Sequence, residues 1–371
     1  MKSACLSSRP DRETCRPGLL HSLFRAEIAA LCAECGHPAY RAAQLWQWLY
    51  AQGVRDWAGF GNLPRSLIAD LSRRFSLHPA VLAETRGAPG AFRKLLVELP
   101  DGERIEEVLI PAPGRRTVCV SSQAGCRFRC AFCASGQAGF RRNLAAGEMV
   151  GQVLVAGEVF GERPTHVVFM GIGEPLDNYD NVLRAVRIIN DGEGLAIGAR
   201  RITLSTCGLV PGIQQLAREG LQIELSVSLH AASDELRSRL MPINRRYPLA
   251  RLLATCRDYS AKTGRIITFE YALIGGVNDA PGQARDLARL LAGRSGRINL
   301  IPLSAVEEFP ARPSPAGTAD MFVRTLTRAG INATIRASRG GSLKAACGQL
   351  RFGRRDAAGG QPAAGDDGSA V

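Results

Sequence analysis

No stretch of the 371-residue sequence approaches the roughly 18 to 20 consecutive apolar residues of a membrane span. The first residues, "MKSACLSSRPDRETCRPG", contain no apolar core segment of the kind a secretory signal needs. These two absences lead us to expect a soluble, cytoplasmic protein. An even, regularly spaced set of cysteines is also missing. There are 11, scattered over a long chain, so a disulfide scaffold is not expected and metal binding or thiol chemistry is the better reading. No internal repeat is evident. Finally, the run from Arg336 to Arg355 lacks any acidic residue but holds Arg336, Arg339, Lys344, Arg351, Arg354 and Arg355. That local basic surface sits within a net charge of +13, carried almost wholly by arginine. Arginine suits phosphate recognition, and a high-GC genome would give the same bias.

What is present falls into zones. Residues 1–17 and 352–371 are small, polar and turn-rich, and predict disordered tails. Residues 18–80 predict a small, basic helical domain. In "PAYRAAQLWQWLYAQG", Ala42, Leu45, Trp46 and Leu49 share one face, and Pro64 opens a further helix. Cys32 and Cys35 form a lone C-x2-C without a second pair, so no zinc site is expected there. Residues 81–115 predict a β-hairpin extension, "FRKLLVEL" and "ERIEEVLI" about a Pro100-Asp101-Gly102 turn. Glu106 and Glu107 interrupt its second strand, one expected to face solvent and the other inward.

From residue 116 to 351 strand-like and helix-like runs alternate. "TVCVSS", "THVVFMG", "RITLST", "IELSVSL", "RIITFEYALI", "RINLIPL" and "ATIRAS" are separated by amphipathic stretches. Repeated βα units imply a parallel sheet with helices outside. Six units and a terminal strand predict an α/β fold: an open, partial TIM-type barrel.

In such folds chemistry collects where strands end. After the first strand comes "SSQAGCRFRCAFCASG", with Cys126, Cys130 and Cys133 spaced C-x3-C-x2-C and no fourth cysteine nearby. Structural zinc wants four ligands, so a triplet leaves it unfinished. A cubane [4Fe-4S] cluster takes one thiolate per iron, and three leave one iron open to a small molecule. The amino and carboxylate groups of S-adenosylmethionine can chelate that iron, and one electron then splits the sulfonium to give a 5′-deoxyadenosyl radical. The spacing, with Phe132 before the last cysteine, is a signature of the radical SAM superfamily. The other strand ends supply partners. Glu174 in "GIGEP" can accept from the methionine ammonium, and Ser205, Ser228 and His230 offer hydrogen bonds to carboxylate and ribose.

The sequence resembles the RNA adenine methyltransferases of the RlmN/Cfr family over roughly residues 20 to 351. The likeness rests on "CVSSQAGCRFRCAFCASGQAGFRRNL", "FMGIGEPLDNYDNV", "RITLSTCG", "SLHAASDELRSRLMPIN", "GVND", "INLIP" and "ACGQL", in that order. The resemblance implies that Cys126, Cys130 and Cys133 hold the cluster. It implies that Gly173, Glu174, Ser205, Ser228, Leu229, His230 and Ser304 contact S-adenosylmethionine. Cys347 would receive a methyl group, Cys119 would be its partner, and Glu106 would be the proton acceptor. Two S-adenosylmethionine molecules would be used per turnover, with electrons from a donor such as flavodoxin or ferredoxin. The product would be adenine methylated at carbon 2, in 23S ribosomal RNA and also in transfer RNA, by a monomeric enzyme. The substrate base must arrive unpaired. The basic C-terminal segment, the N-terminal helices and Arg141 and Arg142 are the expected RNA-gripping surfaces.

Two places depart from the family pattern. Leu303-Ser304 stands where an aromatic residue and an asparagine are usual, and Gly341-Ser342-Leu343-Lys344 replaces an acidic stretch before "ACGQL". Both fit a divergent paralogue. Methylation at carbon 8 or of another RNA is the near alternative. An RNA-binding iron–sulfur protein without methylating activity is the distant one. Cys207 has no role in the resemblance and is expected to be structural.

Overall fold

The computed structural model describes residues 18–303, 309, 312–336 and 348–354. Ser304, the Gly341–Lys344 loop and Cys347 lie outside the described residues, as do the N-terminal tail and the basic residues Arg339, Lys344 and Arg355.

The chain begins with three helices, α1 (Arg25–Glu34), α2 (Arg41–Trp46, continued by a π-turn to Ala51) and α3 (Arg65–Arg74). Ala42, Leu45, Trp46 and Leu49 are all buried, as their spacing predicts. This face packs into the same continuous apolar core as the rest of the chain. Polar ties reinforce the contact. The Gly147 N–H donates to Ser22 Oγ at 2.9 Å, and Trp46 Nε1 donates to Asp191 Oδ1 at 3.2 Å.

Three antiparallel strands follow, β1 (Val81–Arg86), β2 (Arg93–Glu98) and β3 (Glu103–Ala112). The expected hairpin is β2–β3; β1 adds an outer strand. Seven parallel strands come next: β4 (Arg115–Cys119), β5 (His166–Phe169), β6 (Ile202–Thr206), β7 (Glu224–Ser228), β8 (Ile267–Leu273), β9 (Gly296–Pro302) and β10 (Asn332–Ile335). The extension and the parallel strands form one sheet, because β3 pairs antiparallel with β4. Its order is β10-β9-β8-β7-β6-β5-β4-β3-β2-β1, an open path that places barrel and hairpin side by side.

Residues 352–354 do not belong to the disordered tail expected there. Phe352–Arg354 form β11, which pairs antiparallel with the start of β3. The sequence there is too short and too basic to announce a strand. It is ordered by the unpaired edge that β3 offers beyond its overlap with β4.

The barrel strands show how polar groups reach a cavity whose wall is largely apolar. In β6, Ile202 and Leu204 are buried while Ser205 lines the central cavity; in β8, Glu270 and Ala272 line it and Tyr271 packs on Phe322 of an outer helix. Alternate residues point to opposite faces of a strand. Alternation therefore carries Ser205 and Glu270 into the cavity.

His21 sits in the core between the helical domain and the barrel, fully buried, and neither ring nitrogen has a partner. Burial, with the Arg55 and His78 charges, holds its pKa at about 3. The folded protein thus keeps it neutral while the unfolded chain protonates it near 6.5, so this histidine's stabilising contribution is full above pH 6.5 and is lost as pH falls toward 3. We predict that His21→Phe removes up to about 1.4 kcal/mol per pH unit from the acid-side loss of stability. Urea unfolding at pH 7 and pH 5 measures it; an unchanged difference between the two pH values would contradict the assignment.

Candidate active site

The cysteine triplet lies on a loop closed at its base. Gln123–Gly125 and Phe140–Asn143 form a short antiparallel ribbon, and the Cys126 N–H donates to the Gly139 carbonyl at 2.8 Å. The loop folds over the C-terminal ends of the barrel strands and is held from the far side. Ala131 N–H donates to the Leu240 carbonyl at 2.9 Å, and Ala134 N–H to the Gly348 carbonyl at 2.8 Å.

Cys126, Cys130 and Cys133 line one cavity, together with Gly173, Glu174, Ser205, Ser228 and His230. Eight of the expected site residues therefore meet in one place. Leu229 is fully buried just outside the lining, where its N–H donates to the Glu270 carbonyl at 2.9 Å. Cys119 is buried at the end of β4, opposite Val108 and Val168, and is not part of the wall. Residues flanking Cys347 in sequence, Arg336 and Gly348, do line the cavity.

Gly173 is needed for its backbone. Its φ is 103°, and a Cβ there would lie 2.6 Å from Gln123 Cβ and 2.8 Å from Gln123 N. The close approach lets Gln123 Oε1 accept from Glu174 N–H at 2.9 Å. Glu174 in turn accepts from Leu176 N–H at 3.0 Å and Cys207 N–H at 2.7 Å. Burial outweighs these donors and pushes its carboxyl up. The carboxylate is positioned by backbone, with lone pairs left for a cation in the cavity.

His230 adopts a left-handed conformation, φ 57°, with its carbonyl held by Asn278 Nδ2 at 2.8 Å. Asn278 belongs to the "GVND" motif, and its side-chain oxygen accepts from Ile274 N–H. His230 Nδ1 accepts from Ala272 N–H at 2.9 Å. Burial, and then the Arg237 charge, hold its pKa at about 3. The ring is therefore neutral at physiological pH and carries its proton on Nε2. It stands against Phe132, ring centroids 4.7 Å apart.

The fit to a cluster follows from the donor chemistry. Burial pushes the Cys126 thiol up to about 12 and the Cys130 thiol well above its ordinary range, so neither becomes a thiolate without a positive group beside it. Arg237 acts in that sense on Cys130. Among the described residues no group of three or more His, Cys, Asp or Glu is arranged around a single metal ion. A cubane needs a wider set of sulfurs, one per iron, and three thiols around a shared cavity fit it.

Three residues escaped the sequence reading. Glu270 in the apolar run "ITFEYAL" lines the cavity; its Oε1 accepts from Ser226 Oγ and Asn299 Nδ2, and its Oε2 has no partner. The signal was a lone carboxylate in a buried strand. Lys94 pairs with Glu106 at 2.7 Å. Arg237 is fully buried and donates to the carbonyls of Cys207, Ser228 and Leu229 and to Asn244 Oδ1. Nothing in "DELRSRL" marks it, since an arginine on a short helix reads as solvated.

Two expectations are corrected. Neither Glu106 nor Glu107 faces solvent freely. Glu107 is fully buried, and burial raises its carboxyl far above the usual range. Glu106 pairs with Lys94 and accepts from Arg351 N–H at 2.9 Å. Arg141 and Arg142 are engaged internally, with Glu103 and with Asp101 and Glu148.

With this geometry the comparisons agree. The Radical SAM superfamily matches residues 120–288, and the ribosomal RNA large subunit methyltransferase N-terminal domain matches residues 20–77. A probable dual-specificity RNA methyltransferase RlmN of Moorella thermoacetica is 48% identical over 91% of this chain and 98% of its own. One from Symbiobacterium thermophilum is 48% identical over 88% and 89%. The chain belongs to the RlmN family of radical SAM RNA methyltransferases. The crystal structure of a radical SAM methyltransferase from Sphaerobacter thermophilus superposes with a TM-score of 0.87 at 47% identity, covering 90% of this chain and 99% of that one. The family implies a [4Fe-4S] cluster and S-adenosylmethionine, and an RNA substrate. No helix among the described residues is long and apolar enough to cross a membrane.

Replacing Arg237 by lysine leaves buried carbonyls without donors, because one ammonium cannot reproduce the planar fork. We predict a loss of about 3 kcal/mol or more, at 1–3 kcal/mol per unsatisfied group. Urea unfolding checks it, and wild-type stability in the variant would show that the guanidinium is dispensable.

Proposed function

We propose that this enzyme methylates carbon 2 of an adenosine in 23S ribosomal RNA, and of an adenosine in transfer RNA, through S-methylation of Cys347. The observation that carries the reading is the crossing made by the chain after Cys347. Gly348 lies against the cluster loop, its carbonyl accepting from Ala134 N–H. Leu350 gives its carbonyl to Ser135 Oγ at 2.7 Å. Arg351 then meets Glu106, backbone to backbone and through the carboxylate. The segment that follows the acceptor cysteine thus runs from the three thiols to the carboxylate assigned as base.

The relatives' names support the two RNA classes: they are described as dual-specificity RNA methyltransferases, and the N-terminal match is to a ribosomal RNA large-subunit methyltransferase domain. A bound cluster with one open iron supplies the reductive cleavage of S-adenosylmethionine. The chain's own residues do the rest. Cys347 takes a methyl group from one S-adenosylmethionine by displacement, releasing S-adenosylhomocysteine. Reductive cleavage of a second S-adenosylmethionine would supply the radical that removes a hydrogen atom from that S-methyl group; the methylene carbon would then join the adenine ring, and the adduct's unpaired electron would return to the cluster that supplied it. Glu106 receives the ring proton, and its ion pair with Lys94 keeps a cation beside it. Cys119 as thiolate attacks the Cys347 sulfur, so that the sulfur–carbon bond breaks as a disulfide forms, and the released methylene carbon takes up a proton to become the methyl group. Glu174 receives the methionine ammonium, Gly173 allows the approach, and Ser205, Ser228, Leu229, His230 and Ser304 contact the rest of the molecule. Electrons come from a flavodoxin or ferredoxin.

Cys347→Ala should abolish methylation of ribosomal and transfer RNA while reductive cleavage of S-adenosylmethionine continues. Mass spectrometry of the RNA nucleosides, with 5′-deoxyadenosine measured in the same reaction, reads both. Methyladenosine at wild-type levels would remove Cys347 from the mechanism.

A further inference from the structure

The arginines near the cavity divide into two classes. Arg127, Arg141 and Arg142 are bound to Asp177, Glu103, Asp101 and Glu148 and have little to offer a ligand. Arg129, Arg239, Arg245 and Arg246 are exposed and make no ion pair or hydrogen bond through their side chains. Among the described residues Arg246 alone of the four meets a ring, that of Tyr247.

These four belong to two segments fastened to each other beside the cavity. Arg129 stands between Phe128 and Cys130, which both line the wall. Its φ of 51° is left-handed, a conformation that non-glycine residues rarely adopt. Arg239 is two residues before Met241, another wall residue. Between the two segments runs the bond from Ala131 N–H to the Leu240 carbonyl. Arg245 and Arg246 end the 3-10 turn Pro242–Arg245 that follows. That turn is fixed from below by Asn244, whose side chain joins Arg237 and Asp234. Asp234 is itself occupied by Asn244 and Leu249 N–H, so it does not neutralise the arginines above it. Glu235, one turn before Arg239, is exposed and forms no ion pair with it.

We infer that Arg129, Arg239, Arg245 and Arg246 form a phosphate-binding rim that grips the RNA backbone next to the flipped adenosine. The inference rests on RNA being the substrate of this cavity. A base presented to chemistry leaves its stack by rotation about its own backbone, which brings the flanking phosphates to the edge of the pocket. Solvated guanidinium groups on a braced backbone suit those phosphates, and each contact releases condensed counterions. The arginines are thus separated by use: the engaged ones hold the loop, and the unengaged ones face the partner. The expected grip by Arg141 and Arg142 is replaced by this neighbouring set.

The test uses the full-length, cluster-loaded protein and a fluorescein-labelled RNA stem-loop with an unpaired adenosine in its loop. Anisotropy titrations across a salt series compare wild type with the triple variant Arg239→Gln, Arg245→Gln, Arg246→Gln. Loss of three contacts should lower the slope of log affinity against log salt by about 2, at ~0.7 per phosphate on single strands, and weaken binding roughly tenfold or more at low salt. The matching triple lysine variant should keep most of the slope. Gln variants of Arg285, Arg324 and Arg328, exposed on outer helices, should leave it unchanged. S-adenosylhomocysteine affinity confirms that each variant is folded. A glutamine triple with the wild-type slope, or an equal loss in the outer-helix control, would overturn the rim. Wild-type protein that ignores the stem-loop would overturn the RNA reading and the rim with it.

Discussion

A single buried guanidinium holds the mouth of this barrel together. Arg237 is sealed from solvent and gives its protons to the ends of two neighbouring strands and to the turn bearing Asn244. A buried cation is costly unless every proton finds an acceptor. Here the acceptors are carbonyls at strand ends, groups that have run out of sheet partners. The charge and the unsatisfied backbone compensate each other. The same charge adds to the burial that keeps the His230 ring neutral and opposes the burial that raises the Cys130 thiol.

Around that point the cavity is assembled by the alternation of the strands. Strand alternation brings Ser205, Ser228 and Glu270 to one cavity although they are not neighbours in sequence. A polar ladder links Thr334, Asn299, Glu270 and Ser226 across four strands. Glu270 Oε2 remains without a partner at its centre. An RNA methyltransferase of this family needs a cavity that can orient a polar nucleoside ligand and still shield reactive chemistry from water. A largely apolar wall that carries a few placed polar groups meets both demands.

The antiparallel extension has a role that its short length would not suggest. By pairing the end of β3 with β4 and the start of the same edge with β11, it brings the C-terminal segment back beside the barrel. Glu106 lies at that junction with Lys94 as its partner. The carboxylate latches the returning chain; it lines a cleft with Glu84, Arg86 and Lys94 rather than the cavity of the three cysteines.

The alternation of seven strand-like runs with helical ones determined the α/β barrel before any coordinates, because period-2 and period-3.6 patterns are local properties of a chain. The C-x3-C-x2-C spacing likewise declared its chemistry, since ligand count depends on residue identity alone. The helical face of Ala42, Leu45, Trp46 and Leu49 was legible for the same reason. Tertiary structure decided the rest. Arg237 became a buried hub and Arg141 and Arg142 internal ties, though all three read identically as surface arginines. Glu107 went into the core and Glu106 onto Lys94, a choice made by which face of β3 met the helices. Phe352–Arg354 became a strand only because an edge was waiting for it. A charge carries no local signature of its partner; long-range folding supplies one, and only the folded chain shows which arginines remain for RNA.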